Sequence, residues 1–455
     1  VNHRANRPVT RRRFLTTSLK ATAGGVVLSM AAPGLSGAAS AAPPGDISRL
    51  GLPPRLLAPD DLVGWFEQIY SQVRAERCTP PSAARIYGHV MLAAYEVVVA
   101  GSPHMRSLSG RLNGLAPITA PVGVHWLLAM NEAVAVTAAA VFRDRSQGTR
   151  QAIDGYAADQ RSRLSSGLAP AVVNRSVTEG ARVGRAVAQR ADGDGYLGIL
   201  GRPYTPPEGP DKWVRTPPNF GPALEPYWGE VRSFTLTTND EGKPTTPVPY
   251  STEPGSPFWN QANTVYEMSR IVTDEQRMLA LFWRDNPDGT TGLPSGHWVR
   301  IAALAAGEMG FMLDRTAEAM VMAAIAAADG FTSCWTEKYQ TNLLRPVTYV
   351  QRHIDPAWNT FVNSPAFPEY TSGHSVGSGA AAGALTRLLG QVAFTDTTGR
   401  QNGHPDRHYS SFREAAEEAA QSRLWGGIHF PMGIEQGLVQ GDHVARLVME
   451  RAATR

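Results

Sequence analysis

Apolar residues recur at helical spacing through most of the chain. Beyond Pro59, Asp60 or Asp61 can cap a helix, and Leu62, Phe66, Ile69 and Val73 then fall on one face. Similar stripes predict helices over Ser82–Val99, His125–Phe142, Thr149–Ser166 with a stop at Gly167, and Ala171–Ala191. Helical pattern resumes from Phe258 to Phe282, Val299 to Met312, and Arg315 to Asp329 with Gly330 as C-cap. A short helix is expected around Lys338, ended or kinked by Pro346, and the last helices over 376–389, Glu414–Trp425 and Glu435–Glu450. No run of alternating β-branched residues is long enough to seed a sheet. The fold class is all-α, with Ala-rich amphipathic helices packed as bundles.

Residues 193–257 break the pattern. They are dense in Gly, Pro and Thr, and include Pro206-Pro207, Pro217-Pro218 and Lys243-Pro244. Trp213, Tyr227 and Trp228 mark this stretch as an ordered irregular excursion that packs onto something. It divides an N-terminal bundle (42–257) from a C-terminal bundle (258–455). Residues 285–296 read as a loop and 391–412 as a polar surface loop.

Charge changes the picture at the N-terminus. Residues 1–41 hold Arg4, Arg7, Arg11, Arg12, Arg13 and Lys20 and no acid, so without these six cations the net charge goes from +3 to −3. The remainder is mildly acidic, which argues against nucleic acid as a partner. Thr10-Arg11-Arg12-Arg13-Phe14-Leu15, a weakly apolar Ala/Gly run and Ala39-Ser40-Ala41 follow the order of a twin-arginine signal peptide. Export to the periplasm or outside the cell is expected. No later stretch has the uninterrupted apolar length of a membrane span, since Glu308, Asp314, Arg315 and Glu318 interrupt Ile301–Ala328. Cys78 and Cys334 have no metal spacing, and whether they pair stays open.

Candidate chemistry is concentrated late in the chain. Ser372-Gly373-His374 puts a hydroxyl, a free N–H and an imidazole where a helix begins, a place that favours anions. Lys338 and Arg345 lie upstream, seven residues apart, a spacing that lets both reach from one helix face. Downstream, Arg423 and His429 flank Gly426-Gly427, whose bend would aim both inward. Three cations, a Ser-Gly-His turn and a second histidine describe a pocket for a tetrahedral oxyanion.

The set Lys338-x6-Arg345-Pro346, Ser372-Gly373-His374 and Ser422-Arg423-x5-His429 resembles the signature shared by vanadium-dependent haloperoxidases and the type 2 phosphatidic-acid-phosphatase superfamily. That resemblance implies an all-α architecture of two helical bundles with vanadate as cofactor. Lys338, Arg345, Ser372, the Gly373 N–H and Arg423 would hold its equatorial oxygens. His429 would be the axial ligand to vanadium, and His374 the acid–base residue. Trp335 and Phe367 stand at positions similar to the aromatic halide site of the chloroperoxidase members. The substrates implied are hydrogen peroxide and halide. The alternative, on the same motifs, is an exported acid phosphatase that takes phosphate esters through a phosphohistidine at His429, with His374 protonating the leaving group.

One position departs from the shared pattern. Where an Asp usually follows the last histidine by four residues, this chain has Gly433. The partner that orients His429 must then come from elsewhere, and Glu435 and Asp442 are near in sequence. Pro294-Ser295-Gly296-His297 repeats a Ser-Gly-His core without the upstream cations. It is read as a loop near the site, with His297 and Asp285 as supporting candidates. Gly373-His374-Ser375-Val376-Gly377 fits the G-x-S-x-G of serine hydrolases, but Pro365-Ala-Phe-Pro-Glu-Tyr makes a poor preceding strand. The remaining mature-chain histidines (His89, His104, His125, His353, His404, His408, His443) follow no pattern. Organic substrate, halide preference and oligomeric state are not legible.

Overall fold

Most helices begin and end where the apolar spacing and its caps put them. The computed structural model describes residues 52–455, so the twin-arginine segment lies outside the described residues. Helix α1 (Asp60–Ala75) opens with both aspartates in its first turn and buries Leu62, Phe66, Ile69 and Val73 as expected. It is followed by α2 (Pro80–Val98), α3 (Trp126–Val141), α4 (Gln147–Ser165) and α5 (Pro170–Asp192). The excursion holds only a four-residue turn of helix, α6 (Tyr196–Ile199), and one 3-10 turn. Then come α7 (Pro257–Ile271), α8 (Asp274–Phe282), α9 (Leu293–Glu308), α10 (Leu313–Thr341), α11 (Pro346–His353) and α12 (Gly373–Leu389). After α12 the chain forms two short strands, β1 (Phe394–Asp396) and β2 (Arg407–Tyr409), then α13 (Phe412–Trp425) and α14 (Pro431–Arg451).

Helix α10 is the axis of the fold and packs against α2, α9, α12 and α14. One apolar cluster runs through it, from Leu62 and Trp65 on α1 to Val444 and Val448 on α14. Among the described residues, two helical segments, Pro80–Gly101 and Leu313–Thr341, are long and apolar enough by length and composition to cross a membrane, although neither is an uninterrupted apolar run. Their apolar windows are 94% buried within the fold, because neighbouring helices wrap them on all sides.

Several boundaries differ from the sequence reading. Gly330 does not cap a helix: α10 runs through it for 29 residues, and the small residue lets α12 approach, since a Cβ there would lie 3.0 Å from Ala380 Cβ. Lys338 is therefore on the last turn of α10, which left-handed Asn342 closes. Pro346 starts α11 at its first turn instead of ending a helix, as its missing N–H allows. Lys338 and Arg345 thus reach inward from two elements, not from one helix face. Helix α9 begins at Leu293, so Ser295-Gly296-His297 is buried helix and not loop. The Phe258–Phe282 stretch is two helices, split before Thr273, whose side chain forms a capping box with Gln276. The stretch 391–412 is not merely a surface loop: β1 and β2 pair antiparallel there, and Asp396 is fully buried.

The excursion packs as its tryptophans imply. Trp213 and Trp228 are buried. Trp213 N donates to Asn342 O, and Leu224 N donates to Ala366 O, just before Phe367. Asp329 on α10 accepts from Phe234 N, Thr235 N and Thr235 Oγ1 at 2.6–2.8 Å. Cys78 and Cys334 are both free and buried.

Candidate active site

The site forms where the N-terminus of α12 meets the end of α10, the start of α11 and the α13–α14 turn. Ser372 caps α12 by accepting from Ser375 N at 3.3 Å, which leaves its hydroxyl proton to donate. Helix α14 comes close enough to support this turn because Gly437 has no side chain: a Cβ there would lie 2.7 Å from Ser375 Cβ. Ser372 N donates to Gly433 O. Gly427 takes φ +77, bending the chain between Arg423 and His429 as the Gly pair suggested.

The three predicted cations are each 0% exposed, so none is a solvated surface charge. Lys338 Nζ donates to Pro368 O and Glu369 O, both at 2.9 Å. Arg345 donates through Nε to Phe367 O at 2.8 Å and through Nη1 to Ile428 O at 2.9 Å. The same Nη1 lies 3.2 Å from His429 Nε2. Arg423 donates to Ser422 Oγ, Arg284 O and Ala280 O. Burial pulls all three below their ordinary ranges, Lys338 to about 7. Burial, then Arg345, Lys338, His374 and Arg423, holds His429 well below the usual imidazole range and therefore neutral. Burial and Arg423 do the same to His374.

A pocket opens onto this cluster. Its walls include Trp335, Phe367, Phe331, Gly373, His374 and His429, with Pro80, Pro294, Pro365 and Ile428 completing an apolar rim. Trp335 and Phe367 have ring centroids 4.9 Å apart, and Phe367 stands 5.0 Å from Lys338 Nζ. Trp335 is held by its Nε1–H, which donates to Leu224 O of the excursion at 3.3 Å. Leu224 O also accepts from Tyr339 OH. Of the predicted residues, Trp335, Phe367, Gly373, His374 and His429 line this pocket, Lys338 and Arg345 stand beside Phe367, and Arg423 is near enough for its charge to act on His374 and His429.

Sequence reasoning missed the carboxylate that orients His429. Glu369 Oε1 lies 2.8 Å from His429 Nδ1 and also accepts from Phe430 N at 3.0 Å. Glu435 is exposed, and Asp442 is an exposed residue that pairs with Arg387, so neither does this work. The available signal was a carboxylate inside Phe367-Pro-Glu-Tyr, three residues before Ser372. His297 and Asp285 do support the site from behind. Asp285 lines the pocket and binds His297 Nδ1 at 3.0 Å, while Asp396, also missed, meets His297 Nε2 at 2.9 Å.

The residues present fit a multiply charged oxyanion. Arg345 Nη2, a donor, and the His374 Nε2 ring nitrogen are buried without a protein partner, and a buried polar group left unpaired costs stability unless a ligand satisfies it. Three buried cations beside one helix N-terminus give the positive excess that such an anion requires.

Comparison with known proteins agrees. The VCPO second helical-bundle domain matches residues 318–455. A bacterial vanadium-dependent iodoperoxidase superposes with a TM-score of 0.83 at 32% identity, over 88% of this chain and 97% of that one. The holo and apo forms of a bacterial vanadium-dependent chloroperoxidase share the fold at 15% and 16% identity. Their TM-scores are 0.59 and 0.61, over 90% and 82% of this chain and 96% and 95% of theirs. A sequence comparison with curated proteins finds no match. At 32% identity over nearly the whole of the iodoperoxidase, with Gly373, His374 and His429 lining one pocket, the chain belongs to the vanadium haloperoxidase superfamily.

Proposed function

We propose that the chain is a vanadate-dependent haloperoxidase that oxidises halide with hydrogen peroxide, X⁻ + H₂O₂ + H⁺ giving HOX + H₂O. The observation that carries this reading is the buried cationic cluster around His429 Nε2, with Arg345 Nη2 left without a partner. Lys338, Arg345, Ser372, the Gly373 N–H and Arg423 would hold vanadate oxygens, and His429 Nε2 would ligate vanadium. When bound, vanadate supplies the Lewis acidity that polarises hydrogen peroxide toward attack by halide.

The chain's own groups do the rest. Lys338, Arg345 and Arg423 balance the anionic charge in a setting where water cannot screen it. His374 is neutral and has a free Nε2, so it takes a proton from incoming peroxide and returns it to the leaving oxygen. Trp335, Phe367, Phe331 and Ile428 exclude water and line the halide approach. Iodide is the halide most easily oxidised, and the 32%-identical protein is described as an iodoperoxidase, so iodide is the expected substrate.

The test is a halide panel. Vanadate-loaded chain should oxidise iodide in the presence of peroxide, and vanadate-free chain should not. Hydrolysis of a chromogenic phosphate ester by the vanadate-free chain, with no halide oxidation after loading, would move the protein to the phosphatase reading. The proposal also includes a twin-arginine leader on residues 1–41, periplasmic or secreted location, no membrane span in the mature chain, and two bundles meeting near residue 257. A mature N-terminus immediately after Ala41 is the check on export.

A further inference from the structure

We infer that Glu369 is the positioning residue of His429, and that Gly433 is side-chain-free so that the Glu369 carboxylate can occupy the space beside it. This rests on the vanadate reading of the pocket and adds the device that prepares His429 for it.

Two neighbours fix the tautomer of His429 independently. At Nδ1 stands the Glu369 carboxylate, 2.8 Å away, so Nδ1 carries the proton and donates it. At Nε2 stands Arg345 Nη1, 3.2 Å away, and a guanidinium only donates, so Nε2 must accept. The Nε2 lone pair is thus the one presented to an incoming anion centre. Both His429 and Glu369 are buried.

The carboxylate is itself held rigidly. Glu369 N donates to Leu343 O at 2.9 Å, and Glu369 O accepts from Lys338 Nζ. Oε1 receives a second bond from Phe430 N, while Oε2 has no partner. One residue therefore ties the orientation of His429 to the position of Lys338.

Gly433 completes the argument. A Cβ at 433 would overlap Glu369 Oε1 and lie 2.9 Å from Oε2 and 3.0 Å from Cδ. These three nearest atoms all belong to the carboxylate end of Glu369. A side chain at 433 would push the Glu369 carboxylate out of its present place and so away from His429, and an aspartate at 433 fits best when Glu369 is shortened. The two positions are one orienting device with its carboxylate moved from the start of α14 to the segment before α12.

The experiment uses the full chain free of vanadate, with ¹⁵N-labelled histidine to read the His429 ring nitrogens and equilibrium dialysis to read orthovanadate binding. Glu369→Ala should lose the single Nδ1–H tautomer and weaken vanadate binding by about 10–100-fold. Glu369→Gln keeps an acceptor oxygen and should retain the tautomer with a much smaller loss. Gly433→Asp alone should be damaging. Glu369→Ala/Gly433→Asp should recover the tautomer and at least about tenfold of the lost affinity.

Equal losses in the Gln and Ala variants with no rescue by Gly433→Asp would reduce Glu369 to a counter-charge for Lys338 and Arg345 and overturn the inference. An unchanged His429 signal in Glu369→Ala would do the same. If the wild-type chain binds no vanadate while its His429 signals still follow this pattern, the positioning role stands and the vanadate reading fails. Should the Ala variant not fold, the His429 signals of Glu369→Gln and of Glu369→Ser/Gly433→Asp decide.

Discussion

Asp285 Oδ2 lies 3.0 Å from His297 Nδ1, and this contact joins the wall of the pocket to a buried charge cluster behind it. His297 is stacked on Trp283 at 4.3 Å and holds Asp396 on its other nitrogen. Burial alone would lower the His297 pKa, but the Asp396 and Asp285 carboxylates outweigh it and raise the value to about 10. A folded value above the ordinary 6.5 gives stability that is fully present below pH 6.5. That stability is lost as pH rises through about 10. The thermal midpoint of the wild-type chain should therefore fall more steeply than that of His297→Gln between pH 7 and pH 10. Parallel curves would contradict the charged-histidine account.

Lys338 gives a second pH dependence, of opposite kind. Burial lowers it to about 7, so the vanadate-free chain loses this cation at mildly alkaline pH. Phosphate or vanadate binding should weaken from pH 7 to pH 9 beyond what the anion's own ionisation explains. In Lys338→Arg the Lys338 part of this pH dependence should disappear, leaving that of Glu369, which burial raises to about 7, although overall affinity falls because a planar fork does not reproduce a point charge. Competition dialysis at several pH values measures both.

Phe367 is placed against Trp335, Lys338 and Arg345 at once. Phe367→Ala should lower stability by about 3 kcal/mol through the cavity it leaves, as read by urea unfolding. It should also change the ratio of iodide to bromide oxidation, because it removes the apolar wall beside the cations. A variant with wild-type stability and an unchanged halide ratio would place the ring outside the working pocket.

Asp329 anchors the excursion to α10 through three bonds at full burial. Asp329→Ala strands three donors and should cost on the order of 3 kcal/mol. The loss should extend to the site, since the same excursion supplies the Leu224 carbonyl that holds Trp335. Hydrogen exchange across 213–236 should speed up, and a change confined to α10 would separate the excursion from the site.

The all-α class and the helix faces were legible because apolar spacing records which side is buried. Where both sides are buried the record fails. Helix α10 is buried on nearly every side, so neither the uninterrupted run through Gly330 nor the position of Lys338 on its last turn shows in the periodicity. The same holds for α9, where a buried Ser-Gly-His looks like a turn. The oxyanion residues were legible because their types and spacing carry the chemistry directly. Glu369 was not: its contact with His429 spans 60 positions, and the empty space at Gly433 that admits it exists only in the folded chain.

The most direct test of the central claim is a titration of the vanadate-free chain with orthovanadate, following iodide oxidation at fixed peroxide. The account predicts activity that rises in proportion to bound vanadate and saturates at one equivalent per chain, and that is absent in His429→Ala at the same vanadate concentrations. Iodide oxidation that is independent of vanadate, or that survives in His429→Ala, would contradict it.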